Sequence, residues 1–172
     1  MEITNQLAHV MQNENLFVTE VHKTDSDNQF ASKFIIDGQH PYLYENPAIA
    51  NHVSGTTFLD VSRQLLKAVT HLFYAVPLTN RFVIRSAHMD FGRWTKLNVP
   101  IEVVVDLTPE RIKIRGQEGI NYTARVSFHQ EGRLTSTITG QFSTFPQVIE
   151  DLLMERQYRQ SPPAAVSVQR AV

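Results

Sequence analysis

Between Thr56 and Val76 apolar residues recur at intervals of three and four, and beyond Pro77 the period drops to two. Phe58, Val61, Leu65, Ala68 or Val69, Leu72 and Val76 make one stripe, and Asp60, Gln64, Lys67, His71 and Tyr74 make a polar one, which predicts a long amphipathic helix. Leu59, Leu66 and Phe73 widen the apolar arc, so much of this helix has to be covered, and Pro77 stops it. Period-two runs then predict strands over Phe82 to Phe91, Ile101 to Leu107, Ile112 to Arg115, Tyr122 to Phe128 and Leu134 to Phe142. Turn signals separate them at Phe91-Gly92, Thr108-Pro109, Gly116 to Gly119 and Glu131-Gly132. Connections that short have no room for crossover helices, so the sheet is expected to be antiparallel.

Upstream, Leu16 to Val21 is β-prone, and Phe30, Phe34 and Ile36 alternate through Gln29 to Ile36 until Asp37-Gly38 closes the run. His40 to Gly55, with Pro41, Pro47 and Gly55, reads as an extended loop of the length that is often functional. A second helix is expected over Gln147 to Tyr158, after Pro146. A sheet must bury one face, and the only long helix available to cover it is Thr56 to Val76. The predicted fold class is therefore α+β, an antiparallel sheet wrapped around one long central helix. Residues 1–160 are expected to form one domain and 161–172, beginning Ser-Pro-Pro-Ala-Ala, a flexible tail.

Composition narrows the function classes. In 172 residues, 16 Lys plus Arg stand against 17 Asp plus Glu, a net charge of -1 that gives no global field for nucleic acid. There is no Cys, which removes disulfides, thiolate nucleophiles and thiolate metal sites together. No run approaches the roughly 20 apolar residues of a membrane span, and Met-Glu-Ile-Thr does not open a leader, so the expected location is cytoplasmic, without membrane partners. There is no phosphate-binding glycine loop and no nucleophile elbow, and no cofactor is implied.

Candidate chemistry centres on the start of the long helix. Asp60 either complements the helix dipole at the surface or serves as a general base beside Gln64 and the loop bearing His52. Arg63 either pairs with Asp60 at i,i+3 or clamps an anionic group. His40, His52 and Asp60 lack any recognised metal-ligand spacing, so a polar cluster is preferred to a metal. His71 and Tyr74 share a helix face and suit packing or interface contacts. Arg81, Arg85 and Arg93, with His88 and Trp94 between them, read either as a small anion-binding face or as the solvated side of a strand.

The segment Gly55-Thr56-Thr57-Phe58-Leu59-Asp60-Val61-Ser62-Arg63-Gln64, with the later His71-Leu72-Phe73-Tyr74-Ala75-Val76-Pro77-Leu78, resembles the signature of the A-factor biosynthesis hotdog domain family. Gln39-His40-Pro41-Tyr42-Leu43-Tyr44 is similar to that family's His-containing loop, and His52 to the His shortly before its helix. Asp60 stands where the family commonly has Glu, one methylene longer. The spacing Gly55, Asp60, Gln64 also resembles the hotdog β-hydroxyacyl-carrier-protein dehydratases, whose catalytic His falls at Asn46 here. An Asn cannot perform that proton transfer.

The resemblance implies a hotdog fold and an enzyme acting on acyl thioesters. The expected reaction is transfer or condensation of a β-ketoacyl group from acyl carrier protein or coenzyme A to a small acceptor. Water as acceptor would make it a hydrolase, and a noncatalytic acyl-binding or assembly module is the remaining class. Asp60, Arg63, Gln64 and His52 are the candidate catalytic residues, with Gln64 or a helix amide polarising the thioester carbonyl. His40, Phe58, Leu65, His71 and Arg85 are the candidate substrate-binding ones. Because better-known members carry two hotdog repeats and this chain has length for one, it is expected to form a homodimer, two helices side by side within a joined sheet.

Overall fold

In the computed structural model, which describes residues 1–38, 40, 52–114 and 116–151, a short helix α1 (Asn5–Ala8) and a 3₁₀ turn (Asn13–Asn15) lead into strands β1 (His22–Lys23) and β2 (Gln29–Phe34). The long helix α2 (Gly55–Tyr74) follows, then β3 (Arg81–Phe91), β4 (Ile101–Ile114), β5 (Gln117–Gln130), β6 (Arg133–Phe145) and a helical turn at 147–151. The strands form one unclosed, fully antiparallel sheet in the order β1-β2-β4-β5-β6-β3, with α2 packed against it.

Helix α2 starts where Ser54 caps it: the Ser54 hydroxyl accepts from the Thr57 N–H at 3.3 Å, satisfying one of the orphan donors of the first turn. Its buried residues Phe58, Val61, Leu65, Ala68 and Val69 are the predicted stripe. They meet the alternating inward residues of the strands, among them Phe30 and Phe34 of β2, Val103, Val105 and Leu107 of β4, and Tyr122, Val126 and Phe128 of β5. Aromatic contacts join the layers along the helix, Phe58 to Phe128 at 4.6 Å near its start and Tyr74 to Tyr122 at 5.6 Å at its end. The chain leaves the helix at Ala75, in the left-handed region at φ 52°, two residues before Pro77.

Two expectations are corrected. Leu16 to Val21 is not a ladder strand; it pairs briefly with the N-terminus through the Glu2–Glu20 bridge and the bonds Ile3 N–H to Thr19 and Val21 N–H to Met1. The turn expected at Thr108-Pro109 does not exist, and β4 runs through it from Ile101 to Ile114. The register explains why proline is tolerated. Leu107 donates its N–H across to Asn28 at 2.9 Å, so the Pro109 nitrogen, two residues on, faces the same side, past the Gln29–Asp106 pair that ends the β2 ladder. No ladder bond is lost there. The Glu131-Gly132 turn is confirmed, with φ of 53° and 72° at its two central positions.

Strand β3 lies at the sheet edge and pairs only with β6. Its register shifts between Ile84 and Ser86, leaving Arg85 as the extra residue of a bulge. Gly140 of β6 sits opposite, and a Cβ there would run into the Ser86 carbonyl oxygen, so only glycine allows this approach. Most of the long 40–55 loop, Asn46 included, the end of the expected 147–158 helix and the 161–172 tail lie outside the described residues. No helix among the described residues is long and apolar enough to cross a membrane.

Candidate functional site

The first three turns of α2 carry the candidate chemistry. The Ser54 hydroxyl also bonds the Thr56 and Thr57 hydroxyls at 2.8 and 2.9 Å, making a compact polar cap. One turn on, the Asp60 carboxylate accepts from Arg63 Nε at 3.2 Å, both side chains being about one-third exposed. The predicted i,i+3 pair therefore forms. At that exposure it contributes about 0–1 kcal/mol, so its rigidity matters more for orientation than for stability.

Gln64 is only 1% exposed and is committed to the chain's N-terminal segment. Its Oε1 accepts from the Phe17 N–H at 3.0 Å and its Nε2 donates to the Asn15 carbonyl at 2.7 Å. This fastens residues 15–17 across α2. A cavity of about 740 Å³ remains between them, open to solvent and lined by His9, Glu14, Asn15, Asp60, Arg63 and Gln64 among others. His40 joins the N-terminal side of this arrangement, with Nε2 2.8 Å from the Glu14 carbonyl and its ring against Phe17 at 5.1 Å.

His52 is placed elsewhere. It stands edge-on to Trp94 at 4.4 Å and lines a separate hollow of about 410 Å³ at the amino end of α2, with Gly55, Phe58, Arg93 and Thr95. Asp60, Arg63 and Gln64 are thus brought together, and His52 lies in the neighbouring hollow. Phe58 and Leu65 are buried, at 2% and 0% exposure, and Phe58 also lines that hollow. Arg85 is an exposed bulge residue and Arg81 is tied to Glu150 at 2.7 Å. Among the described residues no group of three His, Asp or Glu is placed to hold a metal ion.

His71 has a partner that sequence reading missed. Its Nδ1 lies 2.7 Å from the Val76 carbonyl, which can only accept, so that nitrogen carries the proton. The free Nε2 then accepts from His9 Nε2, 2.9 Å away, and the rings stack at 5.1 Å. His9 is lowered to about 4, first by burial and then by the positive charges of Lys67, Arg63 and Arg81. Burial, with Arg63 beside it, also lowers Lys67 to about 8. Neither His9 nor Lys67 carries a local motif. His9 sits in a weakly patterned arm, and the spacing of Lys67 is that of any solvated helix lysine.

Comparison with solved structures places this architecture among hotdog proteins at low sequence identity. A chain of the dehydratase heterocomplex ApeI:P from Xenorhabdus doucetiae aligns with TM-score 0.58 and 9% identity, covering 90% of this chain and 97% of that one. A hot-dog-like protein from Thermanaerovibrio acidaminovorans aligns with TM-score 0.54 and 15% identity, over 88% and 98% of the two chains. A candidate thioesterase related to phenylacetic acid degradation, from Ralstonia eutropha JMP134, gives TM-score 0.50 and 13% identity over 72% and 83%. No curated protein matches the sequence significantly. The sequence model of the A-factor biosynthesis hotdog domain, by contrast, matches residues 1–146, the whole stretch from the first residue to the end of β6. With fold and sequence in agreement, the chain belongs to the A-factor biosynthesis hotdog domain family.

Proposed function

We propose that this protein is an enzyme of acyl thioesters carried by coenzyme A or acyl carrier protein, and that water is its acyl acceptor. The observation that carries the reading is the Asp60–Arg63 pair on the second turn of α2, facing a solvent-open polar cavity. An ionised carboxylate there is an acceptor only, suited to orienting a water molecule and taking its proton as the oxygen attacks the thioester carbonyl. The carbonyl oxygen gains negative charge in that step, which the Arg63 guanidinium lining the same cavity stabilises. The C–S bond then breaks, and the proton held at Asp60 returns to the departing thiolate. The thioesterase-type structure of the same fold from Ralstonia eutropha supports hydrolysis.

Transfer of the acyl group to a small hydroxylated acceptor is the alternative reading, favoured by the family match over residues 1–146. The same residues serve it, with the acceptor hydroxyl in place of water. A homodimer joined through β3 completes the proposal: this 11-residue edge exposes Val83, Ile84 and Phe91 at 41%, 55% and 56%, and so long a bare apolar edge is ordinarily paired or covered.

The test is release of free thiol from a panel of acyl-coenzyme A and acyl-carrier substrates. The chain has no cysteine, so a thiol reagent reads the released carrier alone. Release that needs a hydroxylated acceptor would move the assignment to transfer. Binding without release by either route would leave a noncatalytic acyl-binding module.

A further inference from the structure

A rigidly held tryptophan stands at the rim of the hollow beside the amino end of α2. Trp94 is 76% exposed, yet the backbone on both sides of it is pinned. Gly92 and Arg93 donate their N–H groups to the Thr135 carbonyl at 2.9 and 3.1 Å. The Thr95 carbonyl accepts from the Val53 N–H at 2.9 Å, and the Lys96 N–H donates to Gln130 Oε1 at 2.8 Å. The edge-on neighbour His52 can cover at most one face of the indole, so the ring presents an open, fixed plane. A planar side chain held in place loses little freedom when a flat ligand lies on it.

Three features converge on this space of about 410 Å³, a size within the roughly 300–1,000 Å³ of small-molecule sites. The Trp94 ring offers a stacking surface. Arg93, exposed beside it, has no ion pair among the described residues, and the acids at the two ends of the stretch, Asp90 and Glu131, stand against His88 and Lys96 at 3.3 and 3.1 Å. Gly55, the first residue of α2, also lines the hollow, so the positive end of the helix dipole opens onto it. Glycine is required there, because a Cβ would meet the Phe91 ring at 2.8 Å, and that ring closes the wall between β3 and the helix. A flat aromatic group that carries negative charge satisfies plane, guanidinium and helix end at once, and a nucleotide is that combination.

We infer that this hollow binds the adenine nucleotide end of coenzyme A, its base stacked on Trp94 and its phosphates held by Arg93 and the amino end of α2. The inference rests on the reading that a carrier thioester is the substrate, and it names the carrier, since acyl carrier protein brings no nucleotide. In coenzyme A the nucleotide and the reacting thioester sit at opposite ends of the pantetheine arm, which accords with a hollow separate from the Asp60 cavity.

Trp94 is the sole tryptophan, so indole fluorescence of the whole chain reports this hollow alone. The chain is titrated at pH 7 with coenzyme A, ADP, adenosine, ribose phosphate and pantetheine. Coenzyme A and ADP should change the emission saturably, and ribose phosphate and pantetheine should leave it unchanged. Adenosine should bind at least about tenfold more weakly than ADP, for want of charge-assisted bonds. By calorimetry, Trp94→Ala should weaken coenzyme A at least about fivefold, as loss of a stacked base requires, and Trp94→Phe should restore most of that. Arg93→Gln should remove most of the preference for ADP over adenosine. Absence of a saturable change at millimolar coenzyme A overturns the inference, as does full calorimetric affinity in Trp94→Ala or equal binding of ADP and ribose phosphate. Each probe lacks an acyl group, so the two readings fail separately. Turnover confined to acyl carrier protein, with no coenzyme A binding, overturns the nucleotide site alone; coenzyme A binding without thiol release by any route overturns the catalytic reading alone.

Discussion

The Nε2 atoms of His9 and His71 lie 2.9 Å apart and join the end of α1 to the last turn of α2 by one hydrogen bond. In the folded protein His9 is lowered to about 4 by burial and by the surrounding positive groups. An unfolded His titrates near 6.5, so between pH 6.5 and about 4 the unfolded chain binds the extra proton. The stability from this contact should be fully present above pH 6.5 and fall as the pH drops toward 4. Melting temperature measured against pH should show that slope, and His9→Asn should flatten it. Proton resonances of His9 that titrate near 6.5 in the folded protein would refute the arrangement.

Gln64→Leu keeps the bulk and removes both amide bonds to the N-terminal segment, orphaning the Phe17 N–H and the Asn15 carbonyl. The buried Phe17 donor dominates, with an expected loss of about 1–3 kcal/mol in urea unfolding. Hydrogen exchange should localise the loss, with the Phe17 amide deprotected while β5 and β6 amides stay slow.

Asp60→Asn should lower acyl-thioester turnover by roughly 10²-fold or more, as expected where a general base is removed. Arg63→Lys should also impair it, since an ammonium does not reproduce the planar fork. Both side chains are about one-third exposed, so the melting temperature should barely move, and that separates chemistry from folding. A folded Asp60→Asn that turns over at the original rate would remove Asp60 from the mechanism.

Sedimentation at micromolar protein should give at least twice 19.6 kDa if β3 pairs with its copy. Replacing the exposed Val83 and Ile84 together by Lys places like charges on both halves of such a junction and should yield the monomer. A wild-type monomer at that concentration would reject the edge as an interface.

The fold was legible where one period ran uninterrupted. Phe58, Val61, Leu65 and Ala68 mark the helix face that is buried, and the strand expected from Phe82 to Phe91 runs from Arg81 to Phe91. Pro109 misled because its cost depends on which way its nitrogen points, a property of register that no local pattern encodes. Among the site residues, the Asp60–Arg63 contact follows from helical spacing alone. The partners of Gln64 and His71 lie 47 and 62 positions away in sequence, on an arm with little periodicity, so only the folded chain reveals them.

The placement of Pro109 also bears on how many chains can join. At one border of the sheet β1 is two residues long, and the bare end of β4 beyond it carries an imino nitrogen with no hydrogen to offer, followed by Glu110, Arg111 and Lys113. At the other border β3 presents 11 residues. A ribbon adhesive on one side and blunt on the other cannot grow into a fibre, so the proposed union through β3 would use up the one receptive sheet border among the described residues and halt at two.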